Sequence, residues 1–171
     1  MYFWQTPLGQ MPVLDGSENF SLAHQIAFGS LPKEPFFRSM LYPALLAIPC
    51  ALGFEDELFC IASLAGIISH FLSSIFVFLI VKNLWKNDKA ALISALIYGL
   101  YPPAVYYAAE PLDITLAITF MLSALYFYFL SIDKKEKKYF ALSGLSLGIS
   151  GLLRSNVLPF TIIYIVYPIT I

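Results

Sequence analysis

Long apolar runs broken by short charged intervals set the pattern of this chain. From Leu58 to Val81 the only ionisable side chain is His70. Similar runs cover about 90–109, 112–132, 138–153 and 157–171. A helix needs about 20 apolar residues to cross a bilayer. Lipid offers no partners to the backbone, so such runs must be helical. The pattern predicts an all-α bundle of four or five transmembrane helices over 58–171. The brief punctuation at Ser155-Asn156 leaves the division of the last two runs open.

Residues 1–57 read differently and are expected to form an external segment. Ser17 to Phe28 places Phe20, Ala23, Ile26 and Ala27 on one helical face, with Gly29 to end the helix. That spacing predicts an amphipathic helix lying on the membrane. Met40 to Phe54 holds Pro43 and Pro49 and suits an interfacial or re-entrant helix better than a span. Glu55-Asp56-Glu57 then separates it from the first full span. The opening MYFWQTPLGQMPVL has no basic stretch of the signal-peptide kind. Small residues at Ala91/Ala95/Gly99 and Gly144/Gly148 are spaced for close helix packing.

Composition sharpens the class. Hydrophobic residues make up 59% of the 171 and charged residues only 12%, against about 25% charged in an ordinary soluble domain. The net charge of -1 carries no basic signature for nucleic acid. Cys50 and Cys60 have no metal-type spacing. Seven of the ten basic residues fall in two intervals, Lys82/Lys86/Lys89 and Lys134/Lys135/Lys137/Lys138. If the intervening runs span, both intervals lie on one side, which the positive-inside rule makes cytoplasmic. The opposite face then collects Asp15, Glu18, Glu34, Glu55, Asp56, Glu57, Glu110 and Asp113, with Lys33, Arg38 and Arg154 as its cations. A chain that starts on the outer face and stops in an apolar run is expected to be part of a larger bundle.

Each polar residue on that face has a plain reading beside a chemical one. Asp15 and Glu18 share a helical face and match a capping box; they also suit a base at the membrane surface. Arg38, just before Tyr42-Pro43, reads as an interfacial anchor or as a fork for phosphate oxygens. Glu110-Pro111 reads as a helix start with Asp113 in its first turn, or as a carboxylate facing an outer cavity. Arg154-Ser-Asn156 reads as a helix-end cation or as a ligand for an anion. His70 falls mid-span, where an ionisable residue is a functional candidate; a neutral imidazole bonded to a neighbouring helix is the plainer account.

In order, these segments resemble the N-terminal half of lipid-sugar-dependent glycosyltransferases of the GT-C fold, family 39 and its bacterial relatives. The carrying stretches are VLDGSENFSLAHQIAFG, EPFFRSMLYPALLAI, ALIYGLYPPAVYYAAEPLDITLAITFMLSALYFY and GLSLGISGLLRSNVLPF. The last is similar to a Gly-rich run ending in Leu-x-Arg-Pro-Asn, with Ser155 in place of Pro. The resemblance implies a polyprenyl-phosphate sugar donor, an acceptor hydroxyl on a lipid, glycan or protein, and inverting transfer on the non-cytoplasmic face of the plasma (inner) membrane. It assigns Asp15 as base with Glu18 beside it, and Arg38, Tyr42, Glu110, Arg154 and Asn156 to the substrates. The group varies in its need for a divalent metal ion, so the cofactor stays open, with Glu110 as the residue to meet a metal. The alternative is a non-enzymatic membrane protein, a transporter subunit or an assembly scaffold. Transporters carry polar or broken helices at mid-membrane, whereas the acids here gather at one surface.

Overall fold

The fold is seen in a computed structural model that describes residues 15–29 and 39–160. Among them every regular element is helical and there is no strand. Seven α-helices follow in chain order: α1 Asp15–Ala27, α2 Leu41–Ala51, α3 Leu58–Trp85, α4 Asp88–Gly99, α5 Pro102–Ala109, α6 Ile114–Lys134 and α7 Lys137–Leu153, with a 3₁₀ turn at Ser155–Phe160.

Two of these, α3 and α6, are long and apolar enough to cross a membrane. The run over 90–109 becomes two helices, because Pro102-Pro103 supply no N–H to continue α4. They meet at a 55° bend, and the pair counts as a third span if taken together. The 17 residues of α7 rise only about 25 Å, short of a bilayer core of about 30 Å. The expected helix from Val157 starts within a 3₁₀ turn instead, and residues 161–171 lie outside the described set.

The packing of α3 follows from its solvent. Its buried positions are Leu58 and the small residues Ala62, Ser63, Gly66, Ser69 and Ser73. Its large apolar side chains point outward, with Leu64 58% and Phe71 66% exposed. Lipid is as apolar as leucine, so helices in it associate through close contact of small residues and through hydrogen bonds. Thr119 of α6 makes such bonds: its Oγ1 lies 2.8 Å from the Ser73 hydroxyl and donates to the Ser69 carbonyl oxygen at 2.9 Å. Gly66 faces α5 so closely that a Cβ there would run into the carbonyl oxygen of Ala108. His70 Nε2 bonds to the Gly99 carbonyl at 3.1 Å. A carbonyl only accepts, so Nε2 donates, and the bond to a neighbouring helix is the one the plainer account expects.

Helix α7 packs on α6 through serines. Ser143 Oγ donates to the Ala124 carbonyl at 2.8 Å, and Ser150 Oγ to the Ala117 carbonyl at 2.7 Å. The glycines expected at this contact, Gly144 and Gly148, have nothing within 4 Å of a Cβ position. They fall on the other face because the contact repeats along Ser143, Ser146, Leu147 and Ser150. The Ala91/Gly99 stripe does pack: Ala91 is fully buried, and a Cβ on Gly99 would come to 3.0 Å from Ser74 Oγ.

Helices α1 and α2 cover one end of the bundle. The face expected to rest on the membrane is spent on protein instead. Ala23 sits in a core with Tyr42, Leu46 and Ala47 of α2, Leu58 and Ala62 of α3, Ala117 of α6 and Leu153 of α7, with Phe20, Ile26 and Ala27 packed against it. Helix α1 ends at Gly29, whose φ of 73° closes it. Helix α2 ends at Gly53, at φ 90°. Its 11 residues rise about 16 Å, too short to cross. At the other end of the bundle the two lysine-bearing intervals meet, where Lys86 Nζ lies 3.5 Å from Asp133 Oδ2.

Candidate functional site

The end of the bundle that carries α1 holds a polar cavity of about 310 Å³. Asp15, Asn19, Ser39, Asp113, Arg154, Ser155 and Asn156 line it. The topology explains the gathering. Helices α6 and α7 are antiparallel neighbours, so the N-terminus of one and the C-terminus of the other share an end. Asp113 is the N-cap residue of α6 and Arg154 the C-cap residue of α7. Each charge matches the dipole of its own helix end. Asp15 begins α1, and Asn19 follows one turn later on the same face. Ser39 lies just ahead of α2, and Ser155 and Asn156 open the 3₁₀ turn after α7.

Arg154 Nη1 lies 3.6 Å from Asp113 Oδ1, with side chains 38% and 22% exposed. That is an ion pair longer than a hydrogen bond. A guanidinium carries five N–H donors in a rigid fork, so this contact leaves Arg154 able to grip an anion in the cavity. The cavity wall combines two carboxylates with one guanidinium, the residue types needed to take a proton from a hydroxyl and to face a departing phosphate.

The sequence-expected residues divide. Asp15, Arg154 and Asn156 line the cavity together. Glu18 shares the first turn of α1 but is exposed and does not line it. Tyr42 is 3% exposed in the core. Burial, and after it the Asp113 carboxylate, push its phenol well above the usual tyrosine range. It does not line the cavity, although it feels the charge of Asp113, which does. Glu110 stands apart: it caps the C-terminus of α5, and its carboxylate neighbours the Tyr106 phenol. Among the described residues no cluster of three or more His, Cys, Asp or Glu could hold a metal ion, so Glu110 has no such co-ligands there. Arg38 lies outside the described residues.

Four lining residues carried no expectation of ligand contact: Asn19, Ser39, Asp113 and Ser155. The helix start read at Glu110-Pro111 falls later, at Ile114. Asp113 therefore precedes the helix, makes no side-chain capping bond, and turns to Arg154. Its place among the outer-face acids was the available signal. Asn19 gave none beyond its position four residues after Asp15.

Searches among curated proteins and among solved structures found no match. A family model described as dolichyl-phosphate-mannose-protein mannosyltransferase matches residues 38–171. The match takes in Asp113, Arg154 and Asn156 and begins after Asp15 and Asn19. With its apolar spanning helices and a match over most of its length, the chain belongs to this family of membrane glycosyltransferases.

Proposed function

We propose that this protein transfers a sugar from a polyprenyl-phosphate donor to an acceptor hydroxyl, with inversion, in the cavity between α1, α6 and α7. The observation that carries the reading is the convergence of Asp15 and Arg154, far apart in sequence, on one 310 Å³ cavity. The Asp15 carboxylate takes the proton of the acceptor hydroxyl. The acceptor oxygen attacks the anomeric carbon from the face opposite the phosphate. The bond from that carbon to the phosphate oxygen breaks, and its electrons leave with the polyprenyl phosphate. Arg154, with Asn156 beside it, faces the charge that grows on the departing oxygen, where a fixed donor acts most strongly. Asp113 holds the guanidinium in place meanwhile.

The cavity faces away from the cytoplasm in this reading, in the plasma membrane. The contact between Lys86 and Asp133 supports it, because it joins both lysine intervals at the end remote from Asp113. The 21 residues of α6 separate those ends by about 31 Å.

Asp15→Asn tests the base. General-base catalysis contributes about 10²–10⁴-fold, so transfer should fall at least 10²-fold while the amount of protein in the membrane is unchanged. Transfer at the unaltered rate would leave Asp15 as a helix-end residue with no part in the chemistry.

A further inference from the structure

Asn19 is only 3% exposed, yet it lines the cavity. Among the described residues its Nδ2 finds no hydrogen-bond partner. Buried polar groups are paired in nearly all cases, and an unpaired one asks for an explanation. A carboxamide without a partner destabilises the fold, and a leucine of similar size would pack at that point of α1 without the penalty. The neighbours on the same helix face are Asp15, one turn before, and Ala23, one turn after and fully buried. Asn19 thus stands at the inner edge of the cavity, where the helix passes from polar wall to apolar core.

We infer that Asn19 reads a hydroxyl group of the sugar being transferred. The inference rests on the cavity being the transfer site, and it adds a sugar-recognising residue to that reading. An inverting displacement needs the acceptor oxygen, the anomeric carbon and the leaving oxygen roughly in line. Asp15 marks the acceptor end of that line and Arg154 the phosphate end. The ring hydroxyls project to its sides, and Asn19 lies one helical turn from Asp15. A carboxamide can donate through Nδ2 and accept through Oδ1 at once, which is what a hydroxyl offers in return. Phosphate only accepts, and its charge is met by the Arg154 guanidinium in the same cavity. The sugar hydroxyl is therefore the ligand group that uses the whole of the Asn19 side chain.

The test uses the protein in its membrane, with polyprenyl-phosphate mannose and a set of its singly deoxygenated analogues as donors. A site built to bond a hydroxyl rejects the donor that lacks it. The unaltered protein should discriminate against one deoxy donor by about tenfold in kcat/KM, the ratio expected for one buried hydrogen bond. Asn19→Leu should lower kcat/KM for the parent donor by about the same factor and use both donors equally. The same substitution should raise the apparent melting temperature of the unliganded protein by about 2–8 °C, because it removes an unpaired buried amide. If Asn19→Leu keeps the discrimination against every deoxy donor while Asp15→Asn is inactive, the inference fails and the transfer reading stands. A fall in melting temperature would make Asn19 a structural residue and would also overturn the inference. Absence of transfer by the unaltered protein from any of these donors would overturn both.

Discussion

Two serines on one face of α7 offer a matched experiment on how the bundle positions Arg154. Ser150 Oγ bonds the Ala117 carbonyl at 2.7 Å and Ser143 Oγ the Ala124 carbonyl at 2.8 Å. Both are buried, at 0% and 1% exposure. Their acceptors lie in the same helix, α6, and remain available to its own ladder. Replacing either serine with alanine therefore removes one interhelical bond and orphans nothing. Such bonds in membranes average about 0.6 kcal/mol and reach about 1.7, and both variants should lose stability within that range. Their effects on transfer should differ. Ser150 lies four residues before Arg154, about 6 Å along the axis, and its partner Ala117 lies four residues after Asp113. Ser143 lies eleven residues before Arg154, about 16 Å away. A displacement of 1 Å at a reacting group can cost about 10²-fold. Loosening the last pinned turn by a fraction of that should lower kcat/KM by about tenfold in Ser150→Ala. Ser143→Ala should stay within about twofold of the unaltered protein. Chemical unfolding in micelles measures the first quantity, and steady-state transfer the second. Equal loss of transfer in the two variants would refute the idea that local pinning places Arg154. So would a Ser150→Ala protein that is destabilised but transfers normally.

Two further predictions concern packing and orientation. Gly66→Ala should destabilise the folded protein by about 1–3 kcal/mol in micelles, because the new Cβ meets the Ala108 carbonyl and forces α3 and α5 apart. Gly144→Ala, with open space at its Cβ position, should be neutral or stabilise by up to about 1 kcal/mol through lower chain entropy; the reverse order of the two would contradict the packing. For orientation, a single cysteine at Lys135 in a background lacking Cys50 and Cys60 should react with an impermeant maleimide only after the membrane is opened. A cysteine at Ser17 should react in intact cells, and the opposite pattern would invert the orientation.

The sequence made some of this visible for definite reasons. Runs such as Leu58 to Val81 signal helix because lipid leaves the backbone no alternative, and α3 and α6 appear where those runs lie. Arg154 and Asp15 could be placed on one face because charge positions relative to the runs set the side of the membrane. Contact-dependent features were hidden. Gly144 and Gly148 look like a packing motif, yet serine hydroxyls bond α6 and rotate the glycines outward. The pattern Glu110-Pro111 obeys the local rule for a helix start. The rule lost to tertiary structure, because Asp113 meets an arginine from α7 that no local window contains. The apolar face of α1 was read correctly as a face, but its partner is α2, and an apolar stripe does not say whether lipid or protein will cover it.

The bend between α4 and α5 has a consequence for the lipid around it. Helix α3, at 28 residues, rises about 42 Å. The 12 residues of α4 rise about 18 Å, and the 8 of α5 add only about 7 Å along the same direction after a 55° turn. Helix α3 thus presents an apolar wall taller than a bilayer core of about 30 Å, and the α4–α5 pair packed beside it one that falls short. A bilayer meets a short wall by thinning, at a cost of fractions of a kcal/mol per Å. The exposed rings of Tyr101, Tyr106 and Tyr107 sit at this step, suited to the level of the headgroups. Because α5 leads directly to Asp113, such thinning would fall at the cavity end of the bundle. It would draw lipid phosphates inward beside the elbow, and a lipid-borne substrate would then meet the protein at a notch in the membrane surface.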